Sequence, residues 1–383
     1  MKPEGRPEGR PEGRVATALA LLIALASRGL GAQEAGSFTV GGTLSEQPFL
    51  RYATSGSAGG SGLSYGSNSG LGLELGVAGS AARAAASFEA AVLTGAAAAD
   101  AWSASAAGLE SPDLLLVPSR SSGGAAGNPA PEALFAARVR ALYLKLDFDW
   151  ASLTAGRQVV NYRKGALWSP TDLFTELDLS GLSPVRRGSD ALRLVFPLGP
   201  TEALDLVGAP TATPSQGRYA ARLSGLVAGV DASAIAYRDG TEKLYCAGGD
   251  FKADLVAGIN GEALWSVPDE GGPWLRAALG ADYSIGDFVI AAEYYYNGGG
   301  AAADPAAPGA HNAYASLAWK AGDFVTLTGI GAADPVSETW SCTLSAGLDA
   351  AQNASASAYA KLIRAASPAA WAAETGLSLV VAF

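Results

Sequence analysis

The sequence predicts an all-β protein, a transmembrane antiparallel up-and-down β-barrel of about 16–18 strands. Three observations carry that prediction. Segments with an apolar residue at every second position recur along the chain. The longest apolar run is too short to span a bilayer as a helix, and the connections alternate between short turns and long loops. Because every backbone N–H and C=O inside a bilayer must be paired within the protein, a chain without spanning helices can cross only as a closed sheet.

The N-terminal region is expected to be an export signal. Residues 15–26 (VATALALLIALA) fall short of the about 20 apolar residues that a spanning helix needs, but suit the core of a signal peptide. Basic residues ending at Arg14 precede the run, and Leu30-Gly31-Ala32 follows it. The expected signal peptide is therefore 1–32, with Ala24-Leu25-Ala26 as the alternative cut, and the barrel is expected over 33–383. Ahead of the run, Pro-Glu-Gly-Arg stands three times in tandem, a low-complexity leader with no part in the fold.

The strands follow from alternation. Leu142, Leu144, Leu146, Phe148 and Trp150 share one face, and Tyr143, Lys145, Asp147 and Asp149 the other. Further along, Leu192, Leu194 and Phe196 stand against Arg193, Leu204 and Leu206 against Asp205, and Phe251, Ala253 and Leu255 against Lys252 and Asp254. Leu275, Ala277, Leu279 and Tyr283 oppose Arg276 and Asp282, and Phe288, Ile290, Ala292 and Tyr294 oppose Glu293. At the end of the chain Leu377, Leu379, Val381 and Phe383 share a face. Period two with charges on one side reads as lipid outside and water inside. The least periodic segments are 36–44, 250–258 and 261–267.

Short turns are expected at Gly79-Ser80, Phe148-Asp149, Gly199-Pro200, Val230-Asp231, Asn260-Gly261, Gly286-Asp287, Gly322-Asp323 and 351–353, where Gly, Asp and Asn suit tight hairpins. Long loops are expected between them, among them 45–70, 95–132, 158–188, 239–249 and 298–310. Trp150, Trp274, Trp319, Trp340, Trp371 and the run Tyr294–Tyr296 lie near segment ends, as interfacial aromatic girdles require.

The inward positions carry both signs: Lys145, Arg193, Arg218, Arg222, Lys252 and Arg276 against Asp147, Asp205, Asp254, Asp282 and Glu293. Such a lining predicts weak ion selectivity. Arg218 and Arg222 could form part of a basic ladder or be neutralised by neighbouring acids. A loop of some 30 residues is too long to be idle in a compact domain. Leu167, Trp168, Leu173, Phe174 and Leu177 in it need a surface to cover, so it is expected to fold inward as a constriction. Arg163, Lys164, Asp172, Glu176, Asp178, Arg186 and Arg187 would then face the pore. An outward loop packed over the rim is the alternative.

Two stretches resemble a known family. The closing strand ending in Phe383 resembles the C-terminal signal of bacterial outer-membrane β-barrels, which the barrel assembly machinery reads. Gly156-Arg157-Gln158, Asn161-Tyr162, Gly165 and Trp168-Ser169-Pro170-Thr171-Asp172-Leu173-Phe174 resemble the GRQ and NPTDLF-type motif of porin-like outer-membrane proteins. Arg163-Lys164 departs from that pattern, where a glycine often follows the aromatic residue. The resemblance implies the bacterial outer membrane, a channel for passive diffusion of small hydrophilic solutes, and contacts with outer-membrane lipid and the assembly machinery. It leaves a homo-oligomer open.

Other chemistries find little support. The formal charge of −10 and the lack of a basic block argue against nucleic acid. His311 is the only histidine, which removes His-based metal sites and most Ser-His arrangements. Gly62-Leu63-Ser64-Tyr65-Gly66 fits GxSxG, but in a Gly/Ser-rich loop it lacks the strand and helix of a nucleophile elbow. Asp147 and Asp149 could bind a divalent cation, although solvated lumen charges account for them as well. Cys246 and Cys342 could pair in an oxidising compartment. No catalytic site, cofactor or metal site is expected. A surface adhesin or receptor barrel, contacting partners through loops 45–70 and 95–132, is the alternative to a channel. A membrane-embedded hydrolase or acyltransferase built around His311 is the third class.

Overall fold

Apart from one short strand, each strand pairs with its neighbours in sequence round the wall, and the last pairs with the first. The computed structural model describes residues 37–54, 62–106, 115–118, 131–174, 188–304, 307, 309–365 and 370–383, so the expected signal peptide lies outside the described residues. The first strands are β1 (Ser37–Ala53), β2 (Gly62–Ala78), β3 (Ala82–Gly95), β4 (Leu115–Pro118), β5 (Ala133–Asp147), β6 (Ser152–Gln158) and β7 (Ser189–Pro197). There follow β8 (Ala203–Ala209), β9 (Arg218–Val227), β10 (Val230–Asp239), β11 (Leu244–Asp254), β12 (Gly258–Pro268) and β13 (Trp274–Ile285). The wall ends with β14 (Phe288–Asn297), β15 (His311–Lys320), β16 (Val325–Asp334), β17 (Thr339–Ala351), β18 (Ala354–Ala365) and β19 (Ala370–Ala382). Among the described residues one α-helix, α1 (Ala96–Ala106), follows β3.

The sheet is antiparallel throughout and closes through β1 and β19, so the barrel wall has no free edge. Among the described residues the 19-stranded sheet consists of 18 wall strands and the short β4. β4 pairs only with Leu134–Ala137 of β5, the stretch that the short β6 leaves uncovered. The upper end of the predicted count therefore holds.

Exposure alternates as the sequence requires. Outward residues such as Leu71, Leu279, Leu344 and Leu377 are exposed, whereas the inward Asn68, Asp205, Glu262 and Glu293 are buried. Arg140 is an extra residue opposite the Ser87–Phe88 step, a bulge that changes the phase of β5. Arg138 above it and Lys145 and Asp147 below it thus all face inward.

Several expected boundaries move. The loop expected at 45–70 is mostly wall, because β1 and β2 run in register from Ser37↔Ala78 to Ala53↔Gly62. Apart from Phe49, its inward residues are small or polar, including Ser45, Gln47, Asn68 and Gly70, since they face an enclosed space rather than a packed core. The GxSxG pattern accordingly lies within β2, not in a loop or an elbow. The loop expected at 95–132 contains α1 and β4, and that expected at 239–249 shrinks to 240–243. The turn expected at Val230-Asp231 is Ala228-Gly229, whose φ of 52° and 82° form the two-residue reversal that twisted hairpins favour. The turn expected at Asn260-Gly261 lies at 255–257, so that pair belongs to β12.

The cysteines are free and lie on opposite faces of the wall. Cys246 is buried on the inside and bonds Ser266 at 3.3 Å, whereas Cys342 is exposed on the outside. At the rim holding the C-terminus, Phe148 stacks on Trp150, Trp150 meets Phe196, and Phe288 stacks on Trp319. Near the other rim Trp340 and Trp371 meet edge to face at 5.2 Å. Trp274 departs from the expected girdle: its register partner Ser266 is fully buried on the inward face, so Trp274 points inward too.

Candidate functional site: a loop held inside the barrel

Glycine starts the loop's path. Gly156 has φ +116°, and a Cβ there would overlap the Leu142 carbonyl oxygen. Arg157, next to it, grips Asp190 with Nε and Nη2 at 3.0 and 2.6 Å. Gln158 is buried and donates to the carbonyls of Thr154 and Ala191, which fixes the chain as it leaves the wall.

From there residues 159–174 run along the inside of the barrel. Glu262 on β12 accepts the N–H groups of Lys164, Gly165 and Thr171 at 2.7, 2.8 and 3.1 Å, and the hydroxyls of Ser169 and Thr171 at 2.7 Å each. Glu293 on β14 accepts the N–H groups of Ala166, Leu167 and Trp168, the last at 2.6 Å. The two carboxylates thus take donors that a loop has no other means of satisfying away from bulk water. Gly165 is required here, because a Cβ would overlap the Trp168 carbonyl oxygen and come within 2.9 Å of Glu293 Oε2.

Side chains complete the seat. Trp168 stacks on the buried Tyr295 with centroids 5.5 Å apart, and Phe174 meets Tyr162 and Tyr237 edge to face. Lys164 pairs with Asp231 on β10, and the hydroxyl of Ser189 on β7 donates to the Phe174 carbonyl. Residues 159–174 therefore touch β7, β10, β12 and β14, on one side of the wall.

Several of the charged inward residues form pairs. Arg193 holds Asp205 with contacts of 2.6 to 3.1 Å, and Arg222 holds Asp250 at 3.1 Å. Both guanidiniums lie over Tyr162, 6.0 and 5.0 Å from its ring centre, and Arg218 lies 5.9 Å from that of Phe174. Lys145 pairs with Asp147 at 2.9 Å, and Arg276 donates to the Ala303 carbonyl. Lys252 pairs with Asp254 at 3.9 Å at the end of β11, where the Asp254 side chain is 80% exposed. Asp282 faces inward beside Gly258.

Of the loop residues singled out in the sequence, Arg163 donates to the Gly165 carbonyl, Lys164 binds the wall, and the Asp172 N–H bonds Ser169. Glu176, Asp178, Arg186 and Arg187 lie outside the described residues. Glu262 was missed because the turn expected at Asn260-Gly261 put it at the start of a weakly periodic strand. Arg138 with Glu89 at 2.6 Å, and Arg140 with Glu74 and Glu89, were missed because the β5 bulge hides their phase. Ser64 faces inward and His311 outward, where it bonds the Tyr294 hydroxyl at 2.5 Å, so the two cannot act together. Among the described residues no three metal-ligating side chains gather.

No protein-family model and no curated protein matches the chain. Solved structures do. OpdQ of Pseudomonas aeruginosa superposes with a TM-score of 0.57 at 10% identity, covering 90% of this chain and 97% of its own. OccK9 (OpdG) of the same organism gives 0.61 at 12%, with 91% and 98% covered. OccK7 (OpdD), also from that organism, gives 0.57 at 12%, with 90% and 99% covered. At such identities the likeness is one of fold.

Proposed function

We propose that the chain is a porin-like channel of the bacterial outer membrane through which small hydrophilic solutes diffuse. Residues 1–32 act as its export signal, and Phe383 as the residue read by the barrel assembly machinery. The rim with the C-terminus is periplasmic, and the rim with the longer loops is extracellular. Outer-membrane lipid covers the exposed apolar face.

The observation that carries this reading is the seating of residues 164–171 on Glu262 and Glu293. A wall of 18 strands encloses an aqueous lumen rather than a packed core, and a loop bound across its inner face narrows that lumen without sealing it. Paired cations and acids line it, which suits passage of water and polar solutes with weak charge preference.

A surface receptor has less to build on, since the first of its two expected loops is largely wall. A rim hydrolase has less to build on as well, since His311 turns outward and Ser64 inward.

Liposomes carrying the purified protein should swell in sugars below a sharp size limit. Absence of swelling with the smallest sugar contradicts the channel and favours a closed surface barrel.

A further inference from the structure

We infer that α1 is a second narrowing element of the pore, seated inside the extracellular mouth opposite the loop at 159–174 and latched by the charge chain Asp100–Arg51–Glu374. The inference rests on the channel reading above.

Two glycines put the helix there. Gly95 has φ +56°, and a Cβ on it would overlap the Tyr65 carbonyl oxygen, so the chain can reverse tightly off the end of β3. Gly66 lies on the inward face of β2, where a Cβ would come 2.7 Å from the Ala97 nitrogen and 2.6 Å from the Phe49 ring. The missing side chain is the space that α1 occupies.

Packing then accounts for an oddity of the wall. Ala91, Leu93 and Leu134 face inward near the mouth, where a water-filled pore calls for polar residues. Ala98 and Ala101 of α1 cover them, and all five are buried. The helix is mostly alanine, which favours helical backbone and allows close approach.

Charge holds the exposed side. Arg51 reaches Asp100 at 2.6 Å with Nη1 and Glu374 at 2.7 Å with Nη2, and the Tyr359 hydroxyl donates to Glu374 at 2.9 Å. Asp100 and Ser103 remain exposed, so a solute entering the mouth passes along this flank. Because the Asp100 contact is half open to solvent, salt screens it and the latch loosens as ionic strength rises.

The test uses the full-length protein in planar bilayers. Ser103→Cys is treated with a charged methanethiosulfonate and labelling is followed by mass spectrometry, with the wild type as control for Cys246 and Cys342. Labelling should lower single-channel conductance in Ser103→Cys and leave the wild type unchanged. Asp100→Asn should add brief openings of higher conductance at low salt, a difference that fades at high salt. A conducting Ser103→Cys channel that resists labelling, or that labels without losing current, overturns the role of α1 and leaves the channel standing. A protein that never conducts, with or without substitution, overturns both.

Discussion

The carboxylate of Glu262 receives both the N–H and the hydroxyl of Thr171, at 3.1 and 2.7 Å. The loop bearing Thr171 leaves the wall at β6, and Glu262 stands six strands further round on β12. This single acid thus ties a long connection to a distant part of the wall, and three further donors converge on it.

Glu262→Ala should release the loop rather than unfold the barrel. Each buried donor left without an acceptor costs about 1–3 kcal/mol, and several are orphaned together. The hydrogen-bonded wall is unaffected. Single-channel conductance should rise and become noisier, while heat-modifiable gel migration persists. Glu262→Gln, which keeps an acceptor oxygen, should fall between the two.

The ladder between Gly42 and Phe383 gives a second prediction. Each N–H bonds the other's carbonyl, at 2.9 and 3.0 Å, and the Phe383 ring lies across Gly42 on the outer face. A Cβ at position 42 would meet that ring at 2.5 Å and the Gly72 carbonyl at 2.6 Å. Gly42→Val should cost about 1–3 kcal/mol through overpacking. The temperature at which the folded band on a gel converts to the unfolded one should fall, and Phe383→Ala should lower the yield of folded protein in the outer membrane.

Asp205 lies against Arg193, whose guanidinium also covers Tyr162 together with that of Arg222. Asp205→Asn removes a negative charge and leaves both arginines in place. The zero-current potential across a potassium chloride gradient should move toward the chloride equilibrium potential, most strongly at low salt, where the Debye length exceeds about 10 Å.

Much of the wall could be read in the sequence because a closed sheet with an apolar outer and a polar inner face imposes period two: the strand from Leu142 to Asp147 and the ending at Phe383 stand as alternation predicts. β1 and β2 run longer than the sequence suggests because Ser45, Gln47, Asn68 and Gly70 look like loop residues yet face the enclosed interior of the barrel. Glu262, Arg138 and Arg140 were hidden by a displaced turn and a bulge, both of which shift phase by a residue. The inward course of the 159–174 loop was legible from Trp168 and Phe174, which need a surface. Its anchors were not, since they lie about a hundred residues away and only closure of the sheet brings them near. The fold of α1 was not legible either, because an alanine-rich stretch carries no periodic stripe.

The most direct test is the single-channel conductance of the protein lacking residues 165–180, reconstituted in a planar bilayer. A water-filled barrel narrowed by a loop held on Glu262 and Glu293 predicts a conductance well above that of the intact chain. A deleted protein that still migrates as a folded barrel but conducts no more than the intact one would contradict it.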